Sequence, residues 1–242
     1  LERPAIKIFT DFDGTITQHD VWLDVGEKFI ADKTAWAETI RRFENLEIGG
    51  RECFRRELEL MVNFDFDEFN RIIDSQQIDP YFIEFTEFCM LNGSDLYILS
   101  EGMDYYIGRV LNNYNLNIPF FANKLVVNPA DKNKITLEYP YSDSDCDKCG
   151  CCKRNLLLNM TPDDAVSVYI GDGFSDACVS HYADFVFAKR SLASYCWKNN
   201  ITYFDFSDFR DIINKLQKIL QQKNIKHRQT AKFKRREVFL RG

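Results

Sequence analysis

Short apolar runs rich in β-branched and aromatic residues alternate along the chain with longer stretches of helical period. Residues 6–10 (Ile-Lys-Ile-Phe-Thr), 96–99, 166–170 and 185–188 read as strands, and residues 201–204 as a short edge strand. The runs 121–127 and 135–139 flank Asn128-Pro129-Ala130-Asp131 and predict a strand pair. Helical spacing covers 81–91, 105–111, 155–160, the stretch around 177–181, and 209–220. Strands alternating with helices predict an α/β fold around a parallel sheet.

Residues 18–80 differ from the rest. Trp22, Val25, Phe29 and Ile30 recur at helical spacing, as do Trp36, Ile40 and Phe43, then Phe54, Leu58 and Met61, then Phe66, Phe69, Ile72 and Ile73. Four short helices are expected, with Gly49-Gly50 breaking the second from the third. An all-helical insert directly after the first strand suggests a cap over that strand's carboxyl end, and most of its aromatics are expected to be core.

Composition narrows the class. The 242 residues are 45% hydrophobic and 14% aromatic, enough for one ordinary domain and a small accessory element. No apolar run is long enough to span a bilayer, so no membrane partner is expected, and the protein is expected to be cytoplasmic; Leu1 in place of Met leaves a removed leader open. A basic stretch at 223–242 holds eight Lys/Arg against Glu237; its +7, within a total of −6, leaves the body at −13. An acidic body disfavours nucleic acid as a partner. The stretch lacks a helical apolar period and is expected to be disordered or to dock peripherally on that body.

The candidate chemistry lies at strand ends, where open α/β sheets bind ligands. Asp11 and Asp13 stand where the first strand stops, followed by Gly14-Thr15. Two such carboxylates repel each other; a divalent cation removes the conflict and leaves one as nucleophile, while ordinary acidic loop chemistry is the alternative. After the second strand, Ser100, Glu101 and Gly102 offer a hydroxyl and backbone amides to a phosphate, or simply cap a helix. Lys153 opens a helical run, where an ammonium can neutralise a phosphate or lie in solvent. After the third strand comes Gly171-Asp172-Gly173-Phe174-Ser175-Asp176. Asp11, Asp13, Asp172 and Asp176 together supply the hard oxygens that magnesium requires. Half of the eight cysteines, Cys146, Cys149, Cys151 and Cys152, fall within seven positions and read as a zinc site or as a tight turn of reduced thiols.

In order and spacing, Asp11-x-Asp13-Gly14-Thr15, Ser100, Lys153 and Gly171-Asp172-Gly173-Phe174-Ser175-Asp176 resemble the four motifs of the haloacid dehalogenase (HAD) phosphohydrolase superfamily. The resemblance implies a Rossmann-like parallel-sheet core (1–17 and 81–222) flanked by helices, a small helical C1-type cap (18–80) and a basic tail (223–242). It implies hydrolysis of a small phosphomonoester through an aspartyl-phosphate, with Asp11 as nucleophile and Asp13 as acid and base. Ser100, Glu101, Gly102 and Lys153 would bind phosphate. Mg2+ would rest on Asp11, the Asp13 carbonyl, Asp172 and Asp176. The helical insert and residues 121–125 resemble the phosphoserine phosphatase branch, subfamily IB. Within that branch, Cys149-Gly150-Cys151-Cys152-Lys153, residues 183–188 and Tyr195-Cys196 are similar to the phosphatases of methionine salvage.

Two departures weaken a phosphoserine substrate: Asp20 stands where that branch has a glutamate for the amino group, and Met61 where it has an arginine, although Arg55 and Arg56 are near in sequence. Asp20, Trp22, Met61, Met103 and Tyr105 are candidate pocket residues, each of which can equally be packing; His19 beside Asp20 is expected at the surface. The rival readings are a phosphatase for phosphoserine or a phosphorylated amino-alcohol and, from another class, a phospho-ligand-binding module. The oligomeric state is not legible.

Overall fold

A computed structural model describes residues 4–146, 148–222 and 224–241. In chain order the elements are β1 (Ile6–Thr10), α1 (Val21–Phe29), α2 (Lys33–Glu44), α3 (Gly50–Leu60), α4 (Phe66–Asp74), α5 (Phe82–Leu91), β2 (Asp95–Met103) and α6 (Asp104–Asn113). There follow β3 (Phe120–Asn128), β4 (Asp131–Glu138), α7 (Lys153–Met160), β5 (Val166–Gly171), a 3-10 turn (Phe174–Asp176), α8 (Ala177–Ser180) and β6 (Phe185–Ala188). The chain ends with α9 (Arg190–Lys198), β7 (Phe204–Asp205), α10 (Phe209–Leu220) and α11 (Gln229–Arg241). The strand order is β4-β3-β2-β1-β5-β6-β7. Two compact units arise, one of Leu1–Asp11, Ile78–Ile98 and Lys153–Gly242, the other of Phe12–Gln77 and Leu99–Cys152.

In the first unit β1 is central. It pairs in parallel with β2 from Lys7↔Asp95 to Thr10↔Ile98 and with β5 from Ile6↔Val166 to Thr10↔Ile170. β6 and β7 extend the parallel set beyond β5. β5 is buried along its whole length, as a parallel strand covered on both faces must be. Phe209 of α10 packs its ring 4.8 Å from both Phe82 and Phe85 of α5. The expected edge strand at 201–204 contracts to Phe204–Asp205. Asn200 takes φ 54 and the Ile201 amide turns back to the Cys196 carbonyl, closing α9, a helix the apolar pattern did not indicate.

Of the two expectations for the basic tail, disorder or docking on the acidic body, the described residues 229–241 follow the second. α11 buries Ala231 and Arg235, one turn apart, and Arg235 donates to both oxygens of Asp184 at 3.1 and 3.2 Å, to the Tyr182 carbonyl at 2.6 Å and to Ser167 Oγ at 3.3 Å. The helix is held by charge rather than by an apolar stripe, so no hydrophobic period announces it.

The second unit contains the four expected helices, with α3 starting at the Gly49-Gly50 break. Their core is built on Glu57, which is 3% exposed and accepts the indole N–H of Trp22 at 2.8 Å and of Trp36 at 2.9 Å. β3 and β4 form the expected antiparallel pair, bulged at Val127/Asn128. Gly50 is pinned by close approach: a Cβ there would lie 2.0 Å from Glu101 Oε2. Among the described residues, no helix is long and apolar enough to cross a membrane.

Candidate active site

In the first unit, register decides which side chains meet. Thr10 pairs with Ile170, so β1 and β5 end together, and the Asp11 amide still donates to the Ile170 carbonyl at 2.8 Å. Asp11 therefore leaves the sheet beside Gly171-Asp172, and the 3-10 turn brings Asp176 back. Carboxylate oxygens of Asp11, Asp172 and Asp176 lie within 4.8 Å of one another, all three residues buried. Lys153, the first residue of α7 and 3% exposed, reaches Asp11 Oδ1 at 2.8 Å, Asp176 Oδ1 at 2.6 Å and Ser175 Oγ at 3.0 Å. Sequence alone left Lys153 open between phosphate neutralisation and solvent; it is buried.

The electrostatics follow from crowding. Burial, and then the charge of Asp176, push the Asp11 carboxyl well above the usual carboxylate range against the opposing pull of Lys153, with Asp172 adding to the rise. Burial disfavours the Lys153 ammonium, but Asp11 and Asp176 outweigh it and hold the amine protonated far beyond its ordinary value. Asp176 receives four donors: Lys153 and the Tyr169 hydroxyl (2.5 Å) on Oδ1, and the amides of Asp172 (3.0 Å) and Gly173 (3.1 Å) on Oδ2. A carboxylate offers about four lone-pair sites, so Asp176 is fully committed to shaping this loop. Arg190 donates to Asp172 Oδ2 at 3.0 Å from a backbone at φ 49, a left-handed conformation that costs a non-glycine residue energy and is typical of functional positions.

The second unit holds the rest of the motif residues. Gly14 adopts φ 68, a turn that glycine takes without strain, and its amide donates to Thr17 Oγ1 at 3.1 Å. Asp13 accepts the Val21 amide on Oδ1 at 3.1 Å and the Tyr106 hydroxyl on Oδ2 at 2.6 Å; Ser100 Oγ lies 3.5 Å from the same Oδ2. Burial, then the charges of Asp13 and Asp20, raise the Tyr106 phenol well above its ordinary value, so it stays a donor. Ser100 Oγ also accepts the Gly102 amide at 2.8 Å, and Asn123 Nδ2 donates to the Glu101 carbonyl, which fixes the Ser100-Glu101-Gly102 backbone.

The proposed pocket residues are engaged locally. Asp20 caps α1 through the Leu23 amide at 2.9 Å, Trp22 is tied to Glu57, and Met103 is fully buried. Tyr105 donates to Asn70 at 2.7 Å and stacks on Phe69, while Met61 bridges Ile30. His19 is exposed, as expected. A zinc site at Cys146, Cys149, Cys151 and Cys152 is not supported: Asp11, Asp172 and Asp176 form the sole metal-competent group among the described residues. Cys151 Sγ is instead turned to the Phe121 carbonyl at 3.6 Å, and no disulfide joins any of the eight cysteines. Sequence reasoning missed Tyr106, Tyr169, Ser175 and Arg190. Arg190 had a signal, a basic residue just past the end of β6; the two tyrosines looked like core.

A family model described as "Putative Phosphatase" matches residues 6–211. The 2-hydroxy-3-keto-5-methylthiopentenyl-1-phosphate phosphatase of Bacillus cereus (strain B4264) is 30% identical over 224 residues, covering 90% of this chain and 99% of its own. The enzyme of that name from Bacillus thuringiensis (strain Al Hakam) is 28% identical with the same coverage. In fold, the chain is similar to a phosphoserine phosphatase solved as a phospho-aspartyl intermediate analogue, with a TM-score of 0.67 at 15% identity over 88% of this chain and 99% of that one. A HAD family hydrolase from Salmonella enterica serovar Typhi gives 0.66 at 16% identity over 92% and 73%. With the family model spanning most of the sequence and a relative matched over nearly its full length, the chain belongs to this phosphatase family and is a phosphomonoester hydrolase of the HAD fold.

Proposed function

We propose that the protein hydrolyses a small-metabolite phosphomonoester in two steps through an aspartyl-phosphate on Asp11, and that the substrate is 2-hydroxy-3-keto-5-methylthiopentenyl-1-phosphate. The observation that carries the mechanism is the buried group of Asp11, Lys153, Asp172 and Asp176 at the ends of β1 and β5. Asp11 attacks phosphorus as the ester P–O bond breaks, and Asp13 gives its proton to the departing oxygen. Asp13 then takes a proton from water, the water oxygen attacks phosphorus, and the Asp11–phosphorus bond breaks to release phosphate. Lys153, Ser100 and the amides of Glu101 and Gly102 hold the phosphate oxygens, so positioning and charge supply most of the rate.

The donor set fits Mg2+. Three buried carboxylates face the positive charges of Lys153 and Arg190, leaving one negative charge in excess, and all the donors are hard oxygens. Asp11, the Asp13 carbonyl and Asp172 would hold the ion, and Asp176 would join them, directly or through water, by giving up one of its present donors. When bound, Mg2+ supplies charge neutralisation to the transferring phosphoryl group.

The substrate reading rests on the names of the relatives, the Cys149-Gly150-Cys151-Cys152-Lys153 signature and two facts about residues 18–80, taken here as the specificity cap. Asp20 is occupied in capping α1, which leaves it poorly suited to hold an amino group, and Met61 replaces the carboxylate-binding arginine. The test is phosphate release from a panel of phosphomonoesters, including phosphoserine and the methylthio ester, with Mg2+ or EDTA and with Asp11→Asn beside the wild type. Turnover of the methylthio ester that needs Mg2+ and disappears in Asp11→Asn is expected. A phosphomonoester that binds without being hydrolysed would put the binding-module reading in its place.

A further inference from the structure

Asp13 can deliver a proton only if its carboxyl is held in one orientation, and the second unit shows what holds it. Of the donors on Asp13, the Val21 amide belongs to the backbone and the Ser100 hydroxyl is 3.5 Å away, also accepting from Gly102. A short side-chain contact comes from Tyr106, whose hydroxyl donates to Oδ2 at 2.6 Å. Tyr106 is wholly buried on α6, with its ring centroid 6.2 Å from that of Phe12, so the phenol has little freedom to leave. The chain has made room for the contact. A Cβ on Gly102 would stand 1.8 Å from the phenol oxygen and 2.7 Å from Asp13 Oδ2, distances that real Cβ atoms do not show. Glycine at this position thus serves the Tyr106–Asp13 pair as well as the approach of the backbone to phosphate.

We infer that Tyr106 is a positioning residue for Asp13, fixing the plane of its carboxyl through Oδ2 so that proton delivery to the leaving group is efficient. The inference rests on the acid–base role proposed for Asp13. A positioning hydrogen bond acts on the step that the positioned group performs. Removing the hydroxyl should therefore slow esters whose leaving alcohol needs a proton and spare those whose leaving group departs as a stable anion.

The experiment compares wild type, Tyr106→Phe, Asp13→Asn and the double variant on p-nitrophenyl phosphate and on the best alkyl phosphomonoester from the substrate panel. kcat/KM is the parameter read, because it reports transfer to Asp11 rather than the later hydrolysis. For Tyr106→Phe we expect a loss of about 10- to 100-fold on the alkyl ester, a fraction of the 10²–10⁴ that acid–base catalysis supplies. KM should stay within about twofold and the loss on p-nitrophenyl phosphate should be under about threefold. In the Asp13→Asn background the same change should have no further effect, since Tyr106 acts through Asp13. Urea unfolding of the same four proteins supplies a readout independent of activity, with the two substitutions again non-additive. Equal losses on both esters, or additive effects in both cycles, would overturn the inference while leaving Asp13 in place. Full alkyl-ester activity in Asp13→Asn would instead overturn the acid–base reading beneath it, and Tyr106 with it.

Discussion

Replacing Lys153 by methionine tests the charge balance of the first unit, because methionine keeps an unbranched chain out to Cε, with sulfur for one methylene, and lacks the ammonium. Lys153 sits 2.8 Å from one carboxylate oxygen and 2.6 Å from another, both on buried residues. At an effective dielectric of about 20, each contact is worth roughly 6 kcal/mol before desolvation. Much of that is consumed in burying the ions, and breaking such a pair by deleting one partner leaves a net loss of about 3–5 kcal/mol. For a chain of this size that corresponds to a fall in Tm of roughly 6–20 °C. The assay is thermal unfolding in EDTA, then in Mg2+. The variant should lose stability in EDTA and recover more of it with Mg2+ than the wild type does, because the carboxylate group is left more negative. The sign with pH is also fixed. Asp11 is already held above its unfolded value, and losing the opposing ammonium raises it further, so the folded state binds the extra proton. That contribution to stability is present at low pH and lost as pH rises, so the deficit should be smaller near pH ~5 than near pH ~8. A variant melting within about 2 °C of wild type in EDTA at both pH values would refute the reasoning.

Three other perturbations separate the remaining arguments. Glu57→Gln sets an amide N–H2 against one of two indole donors and should lower the urea midpoint by an amount equivalent to about 1–3 kcal/mol, with a change in tryptophan emission; an unchanged midpoint would mean that the two indoles do not require a carboxylate. His181 accepts from Lys234 on Nδ1 and donates to Tyr195 from Nε2, and burial, then Lys234 and Arg228, push its pKa down from 6.5 to about 4. Unfolding therefore takes up a proton across that window: stability is complete above about pH 6.5 and falls as pH drops towards 4, by on the order of 1 kcal/mol after allowing for partial exposure. His181→Asn should flatten this part of the stability–pH curve, and an unaltered slope would locate the titration elsewhere. Arg235→Met takes the guanidinium from the buried Asp184 carboxylate, which keeps the Ser167 amide and hydroxyl and the Arg228 amide as donors, and should cost about 1.5–3 kcal/mol, seen as faster amide exchange across 229–241; retained protection there would show that α11 is held by other contacts.

The sequence itself determined the strands that alternate with helices, the four-helix insert and the placement of acidic residues at strand ends, because these are local properties of period and punctuation. Asp11, Asp13, Asp172 and Asp176 were legible because chemistry at an α/β sheet edge demands carboxylates just past an apolar run. Ser100 and Lys153 were legible as candidates, although a serine or a lysine is also ordinary surface, and burial alone distinguishes the two cases. Tertiary structure decided the rest. Tyr106 and Tyr169 look like core aromatics until packing brings their hydroxyls onto Asp13 and Asp176. Glu57 looks like an exposed helical glutamate until two indoles from other helices close on it. The cysteine-rich turn suggested metal by composition, but ligation depends on whether sulfurs converge, which spacing does not fix. α11 has no apolar period to read, since its contacts include an arginine reaching an aspartate 51 positions away and a lysine reaching His181, and polar pairing over such separations leaves no local pattern in the chain.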